Sequence, residues 1–380
     1  MRRAGCIAAL IGLLGWPAGA GSAAGTSDPY CTGSYGGGPA SARAALRMGI
    51  DPGLAGSAGG QQMATVPDNP SRDLAAVRAL AVPGRQLVVR LNRLFWSDGQ
   101  NGIRRFEREV RSYARAGFPV ELQVRYHPTS AEEGDISAWA AYVRHVVDTF
   151  GPNRRVTDMT ITNEVNLNVS PNTSDGSYQG AKQALIRGIE AGHAEALRRG
   201  YRQLRFGFTY AYRFSPQSDA AFFTYLAAHG GPAFRRALGF VGLDFYPGTF
   251  YPPVMRPGDT YRAEFAQAAG TVRDCFLPRA QIGRRVPLWI TENGVPSGNM
   301  TESEQATALR QLIQAVHAYS ATDNVTDYRW FNLRDSTDQG PATREPLTFS
   351  TDGLLLANYR HKSSFGDYRT MIGRFGTRAP

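Results

Sequence analysis

The chain has 380 residues, 42% of them hydrophobic, and a formal net charge of +10. That is enough apolar material for a real core, which excludes a disordered protein, and enough length for one large barrel domain or two small ones. The charge comes from 40 arginines against two lysines, with no basic run interleaved with aromatics; no nucleic-acid partner is expected, and the arginines read as solvated helix faces.

In chain order, residues 1–24 begin with Arg2 and Arg3, continue through an apolar stretch over 6–16, and end in small residues at Ala24. This is the pattern of a secretory signal peptide. No later stretch reaches the ~20 apolar residues of a membrane span. The expectation is a secreted, extracellular protein that meets no membrane after signal cleavage. Loss of Cys6 with the signal leaves Cys31 and Cys275, which in an oxidising compartment are expected to form one disulfide. Residues 25–44, rich in Gly, Ser and Pro, read as an extended arm leading into the fold.

Residues 45–380 divide into eight strand-then-helix units. Strands are expected at 46–51, 86–92, 120–126, 156–162, 204–209, 240–245, 287–291 and 327–332. Between and after them, helices are expected from 67–71 to 80, then at 103–116, 136–150, 178–199, 219–228, 262–276, 302–319 and 364–375. This alternation predicts an α/β chain, a single (β/α)8 TIM barrel with no second domain.

Two strands stand out. Residues 156–164 alternate β-branched and apolar side chains, then finish on Asn163 and Glu164 before a polar loop. Residues 286–294 have the same form and deliver Glu292, 128 positions later. In a barrel of this kind the C-terminal strand tips carry the chemistry. Two carboxyl groups there can split cleavage of a glycosidic bond into two steps, one acting as nucleophile and the other as proton donor. The remaining strand ends are polar and aromatic where Val, Ile and Leu would suffice: Asp51, Arg90, Asn92, Arg125, His127, Tyr210, Asp244, Tyr246, Trp330 and Asn332. Arg90 suits keeping one carboxylate charged, and a tyrosine hydroxyl suits orienting it. Trp330 and Trp96 suit carrying the apolar faces of sugar rings. Asp244 either hydrogen-bonds substrate or holds the loop of Tyr246. No metal-ligand spacing occurs and neither lysine falls at a strand tip, so no metal, cofactor or Schiff-base chemistry is expected.

In this order the motifs resemble the clan A retaining glycoside hydrolases, and among them the family 5 type. The likeness covers residues 48–375. It implies that Glu164 is the acid/base, Glu292 the nucleophile, and Asn163 the donor to the sugar 2-hydroxyl. It also matches Arg90, His127, Tyr246 and Trp330 to that family's conserved strand-tip residues, with Trp330 under the cleaved sugar. One position departs: Asp244 stands where family 5 enzymes usually have a histidine. The resemblance implies a retaining β-glycosidase acting on a carbohydrate substrate, and a monomer is expected. A transglycosidase using the same intermediate and a non-catalytic sugar-binding barrel are the alternatives.

Overall fold

The computed structural model describes residues 35, 37–53, 65–213, 215–250, 255–337 and 349–379. The expected signal segment, Cys31 and most of the arm lie outside them. Cys275, the other half of the expected disulfide, is buried.

Eight parallel strands close into a barrel in sequence order. They are β1 (Arg47–Ile50), β2 (Leu87–Phe95), β3 (Val120–Arg125), β4 (Val156–Ile161), β5 (Arg205–Ala211), β6 (Leu238–Asp244), β7 (Leu288–Glu292) and β8 (Val325–Trp330). Around them run α1 (Pro70–Leu80), α2 (Gly99–Arg115), α3 (Ile136–Phe150), α4 (Ala181–Arg199), α5 (Pro216–His229) and α6 (Pro232–Ala237). The ring is completed by α7 (Tyr261–Thr271), α8 (Leu277–Arg279), α9 (Glu302–Tyr319) and α10 (Ser363–Phe375). The single (β/α)8 barrel is as expected. α3 and α9 fall on the expected residues because their starts carry explicit signals. Asp135 accepts from the Ala138 amide, and Thr301 with Glu304 forms a reciprocal capping box. The short α6 was not expected. β2 continues past Asn92 to Phe95, through a register shift against β3 between Leu91 and Leu94.

Alternation along the strands, interrupted by register shifts such as that in β2, decides which residues reach the site. One set of side chains joins the helices in a continuous apolar core: Met48 and Ile50, Leu122, Val124 and Tyr126, Met159 and Ile161, Phe208 and Tyr210, Leu243, Ile290, Tyr328 and Trp330. The other set fills the barrel, and low in the barrel it is charged rather than aliphatic. Arg329 pairs with Glu121 at 3.0 Å and Asp327 at 2.9 Å, and Arg47 reaches Asp158 at 2.8 Å and Asp327 at 2.5 Å. Trp289 stacks on Phe240 at 3.6 Å, with the Arg47 and Arg205 guanidinium groups 4.8 and 4.6 Å from its ring. A Cβ on Gly49 would overlap the Arg329 side chain, so glycine is what leaves room for this layer.

The reading of most arginines as solvated helix faces holds for Arg104, Arg105, Arg108, Arg111 and Arg115 of α2, which are exposed, but it does not cover a buried set. Arg47, Arg90, Arg125, Arg273, Arg329 and Arg334 are all buried. A planar fork with several donors can satisfy carboxylates and carbonyls at once, which suits arginine to such positions better than lysine.

Candidate active site

β4 stops at Ile161, and the next turn is tightly determined. Thr162 and Glu164 take φ of 68° and 45°, in the left-handed region where a residue other than glycine costs about 1–3 kcal/mol. Asp175, from the loop that follows, offsets this. One carboxylate oxygen accepts from the Asn163 and Tyr126 amides, both at 2.9 Å, and the other accepts from Arg125 Nε at 2.7 Å. Asn163 Oδ1 accepts from Gln123 Nε2 at 2.7 Å and Thr209 Oγ1 at 3.0 Å, and Asn163 Nδ2 donates to the Thr173 carbonyl at 2.9 Å. The Glu164 amide donates back to Thr209 Oγ1 at 3.1 Å. Three strands and a loop thus hold Glu164 over the barrel.

Glu292 ends β7 with both oxygens engaged. Arg90 Nη1 donates to Oε1 at 2.9 Å and the Tyr246 hydroxyl to Oε2 at 3.0 Å. Asp244, at the end of β6, accepts from Thr291 Oγ1 at 2.7 Å; its other oxygen is buried without a hydrogen-bond partner. One oxygen from each of Glu164, Asp244 and Glu292 lies within 4.8 Å of the other two. Asp51, at the tip of β1, accepts from Asn92 Nδ2 at 2.6 Å and faces Arg90 at 3.4 Å.

This crowding sets the charges. Burial, then the negative charge of Glu292, pushes the Glu164 carboxyl up to about 8, against the pull of Arg125 and Arg90. Burial also raises Asp244 well above the ordinary carboxylate range, reinforced by Glu292 and Glu164. Asp51 is pushed up to about 7 by burial, with Arg90 opposing. The Tyr246 hydroxyl is raised well above its usual value by burial and by Glu292, so it stays a proton donor. Three carboxyls this close cannot all ionise, and the raised values fall on Glu164 and Asp244. The arrangement supplies a carboxylic acid that holds its proton beside a carboxyl group ion-paired with a guanidinium. The same three acids are the group in which a metal ion could find ligands among the described residues. However, an ion would have to compete with Arg90 and Tyr246 for Glu292.

Glu164, Glu292, Asn163, Arg90, Tyr246 and Asp244 thus come together. His127 makes its contacts outside this group: its Nδ1 meets Ser97 Oγ at 3.0 Å, its ring lies 4.4 Å from Phe95, and its Nε2 is buried with no partner. The two tryptophans do not join the cluster. Trp330 shares the outward set of β8 with Tyr328, packs 6.5 Å from Tyr368 of α10 and donates from Nε1 to the Asp352 carbonyl. Trp96 packs against Tyr126 and Trp139, each 5.6 Å away, behind the strands. Tyr210 likewise faces the helices, 5.0 Å from Phe223. The aromatic that faces the cluster from β8 is Phe331, which packs with Tyr246 and Phe250. Four residues not singled out from the sequence matter here: Gln123, Thr209, Phe331 and Asp175. Stepping back by two from Arg125 reaches Gln123, while Thr209 and Phe331 sit one residue from Tyr210 and Trp330, on the opposite face of their strands. Asp175 carries no such signal, since it comes from a loop.

No protein-family model and no curated protein matches the sequence. Solved structures of similar shape do exist. A β-glucosidase from Thermotoga maritima, in complex with a methoxycarbonyl-substituted glucoimidazole, superposes with a TM-score of 0.61 at 14% identity, covering 88% of this chain and 99% of its own. A GH5_18 protein from Bifidobacterium longum subsp. infantis gives 0.60 at 13% identity, covering 88% and 80%. A family 39 glycoside hydrolase from the gut symbiont Bacteroides cellulosilyticus gives 0.58 at 14%, covering 87% and 64%. At such identities the likeness is one of fold.

Proposed function

We propose that the chain is a secreted, retaining β-glycosidase acting on a β-linked poly- or oligosaccharide. The observation that carries this reading is the pair of unlike carboxyls at the tips of β4 and β7. Glu292 is ion-paired with Arg90, and Glu164 is raised to about 8, with oxygens no more than 4.8 Å apart. A short separation leaves no room for a water between acid and base and suits direct attack on the sugar.

In the proposed reaction Glu292 attacks the anomeric carbon while Glu164 gives its proton to the departing oxygen. The anomeric carbon–oxygen bond breaks and a glycosyl ester forms on Glu292. As the ester neutralises Glu292, the now ionised Glu164 takes a proton from water, and the resulting hydroxide displaces the ester. Asp244 stays protonated between the two and adds no third charge. Hydrolysis rather than transglycosylation, export through residues 1–24, a monomeric state and a Cys31–Cys275 disulfide belong to the same proposal. The test is to incubate the mature protein with β-glucan, mannan, xylan and galactan, then follow the first product anomer by NMR. Initial release of the β anomer is expected; initial release of the α anomer overturns the retaining assignment, and no cleavage of any glycan overturns the reading.

A further inference from the structure

We infer that the cleft wall formed by the tips of β2 and β3 binds an oxyanion carried on the sugar, with Arg93 as its recognising side chain. The substrate would then be an acidic β-glycoside, bearing a carboxylate or a sulfate, and this rests on the glycosidase reading above.

The inference starts from the backbone. β2 points Arg90 and Asn92 into the barrel, while Leu94 and Trp96 join the apolar core outside. Regular alternation cannot connect the two sets, and the register against β3 shifts between Leu91 and Leu94. Arg93 absorbs the shift with φ of 65°. A bulge next to a candidate site re-aims one side chain, and a left-handed arginine is a costly way to build one.

The re-aimed side chain has no protein partner. Among the described residues Arg93 makes no side-chain hydrogen bond and no ion pair, although it is half-buried. The neighbouring arginines are paired: Arg90 with Glu292 at 2.9 Å and Arg125 with Asp175 at 2.7 Å. Burial and the positive charge of Arg125 both lower the Arg93 pKa, with Asp51 and Glu292 opposing. Next along the wall, the Arg125 guanidinium lies 5.4 Å over the Phe95 ring, and Phe95 packs on His127, whose Nε2 is the buried orphan. Arg90 and Arg125 each have a carboxylate, so the charge of Arg93 is the one left over.

A half-buried cation with no protein counter-charge is free to pair with an anion on the ligand. The guanidinium fork matches a carboxylate or a sulfate with two parallel hydrogen bonds. A neutral sugar hydroxyl would leave the charge uncompensated.

The test compares kcat/KM of the mature protein on 4-nitrophenyl β-D-glucuronide and β-D-galacturonide, on the matching neutral glycosides, and on a 6-O-sulfated glucoside. Acidic substrates are expected to be preferred. Arg93→Gln should reduce the acidic-to-neutral ratio by about 10- to 100-fold, the value of one charged hydrogen-bonded contact, and Arg93→Lys should retain part of it. Preference for the sulfated sugar alone assigns the anion as sulfate; preference for the uronides alone assigns it as carboxylate. Preference for neutral sugars, or a ratio untouched by Arg93→Gln in a variant that unfolds at the parent's temperature, overturns the inference. If no glycoside is cleaved, the glycosidase reading fails by itself, and titration calorimetry with sodium glucuronate against glucose decides the anion site. Glucuronate binding that is lost in Arg93→Gln sustains it, and equal weak binding of both sugars sinks it.

Discussion

Arg90 donates to Glu292 at 2.9 Å from a position with no solvent exposure, and the same guanidinium faces Glu121 and Asp51, each at 3.4 Å. The β7 carboxylate is therefore tied to the charged layer at the centre of the barrel, and its orientation depends on one buried cation. Arg90→Met should lower kcat/KM by roughly 10²–10³-fold, the scale of losing one preorganised donor. Breaking the buried pair should also lower stability by about 3–5 kcal/mol. Urea unfolding and steady-state kinetics check the two effects. Full activity in a folded Arg90→Met protein would remove Arg90 from the site.

The two glutamates should fail in different ways. Glu292→Ala should show almost no turnover on any substrate. Glu164→Ala should still form the glycosyl-enzyme from an aryl glycoside with a good leaving group, and azide, which needs no general base, should restore turnover and give a β-glycosyl azide. Natural substrate should remain uncleaved. Azide rescue of Glu292→Ala with inverted product, alongside a dead Glu164→Ala, would mean that the roles are exchanged.

The pH profile follows from Glu164. The proton donor must be protonated, so activity should fall as pH rises through about 8. Stability has the same sign. The folded carboxyl is raised above its unfolded value of ~4.3, so the native state binds the extra proton between the two. The stability it brings is full below the unfolded pKa and is lost as pH rises to about 8. Glu164→Gln should therefore melt several °C above the parent at pH 8, with the difference shrinking toward pH 5. Differential scanning calorimetry at both pH values checks this; a variant that melts below the parent at pH 8 contradicts it.

The charged layer beneath the site makes its own prediction. Arg329 neutralises Glu121 and Asp327 at 3.0 and 2.9 Å with almost no exposure. Arg329→Met leaves both acids short of their cation and should cost about 3–5 kcal/mol at pH 8. Lowering the pH to 5 lets the stranded acids take up protons, so the deficit in urea midpoint should narrow. An Arg329→Met protein as stable as the parent at pH 8 would mean that the layer tolerates an uncompensated charge.

Much of this architecture is written in the chain locally. Eight strands and most of the helices follow from periodicity and capping, because burying one face is a local instruction repeated every two or every 3.6 residues. The expected and observed limits agree for α3 and α9. The glutamates at the tips of β4 and β7 are legible for the same reason: a polar pair closing an apolar strand is a sequence event. Parity could also have been read. Counting by two along β8 puts Trp330 with Tyr328 on the helix side and Phe331 with Arg329 on the other, so a tryptophan beside a catalytic strand tip need not face it.

Other features have no local signature. The β2 bulge that frees Arg93 shows only when β2 is laid against β3, because a register shift is a property of two strands. Asp175 reaches the Glu164 turn from a loop, and its partners Arg125, Tyr126 and Asn163 come from two strands. The unlike surroundings of Glu164 and Glu292 also required the fold. The sequence by itself determined that two carboxyls would stand at strand tips. Only the tertiary structure decided that Glu164 is the one pushed toward its protonated form, because that depends on burial, on Arg90 lying against the other carboxyl, and on their mutual distance.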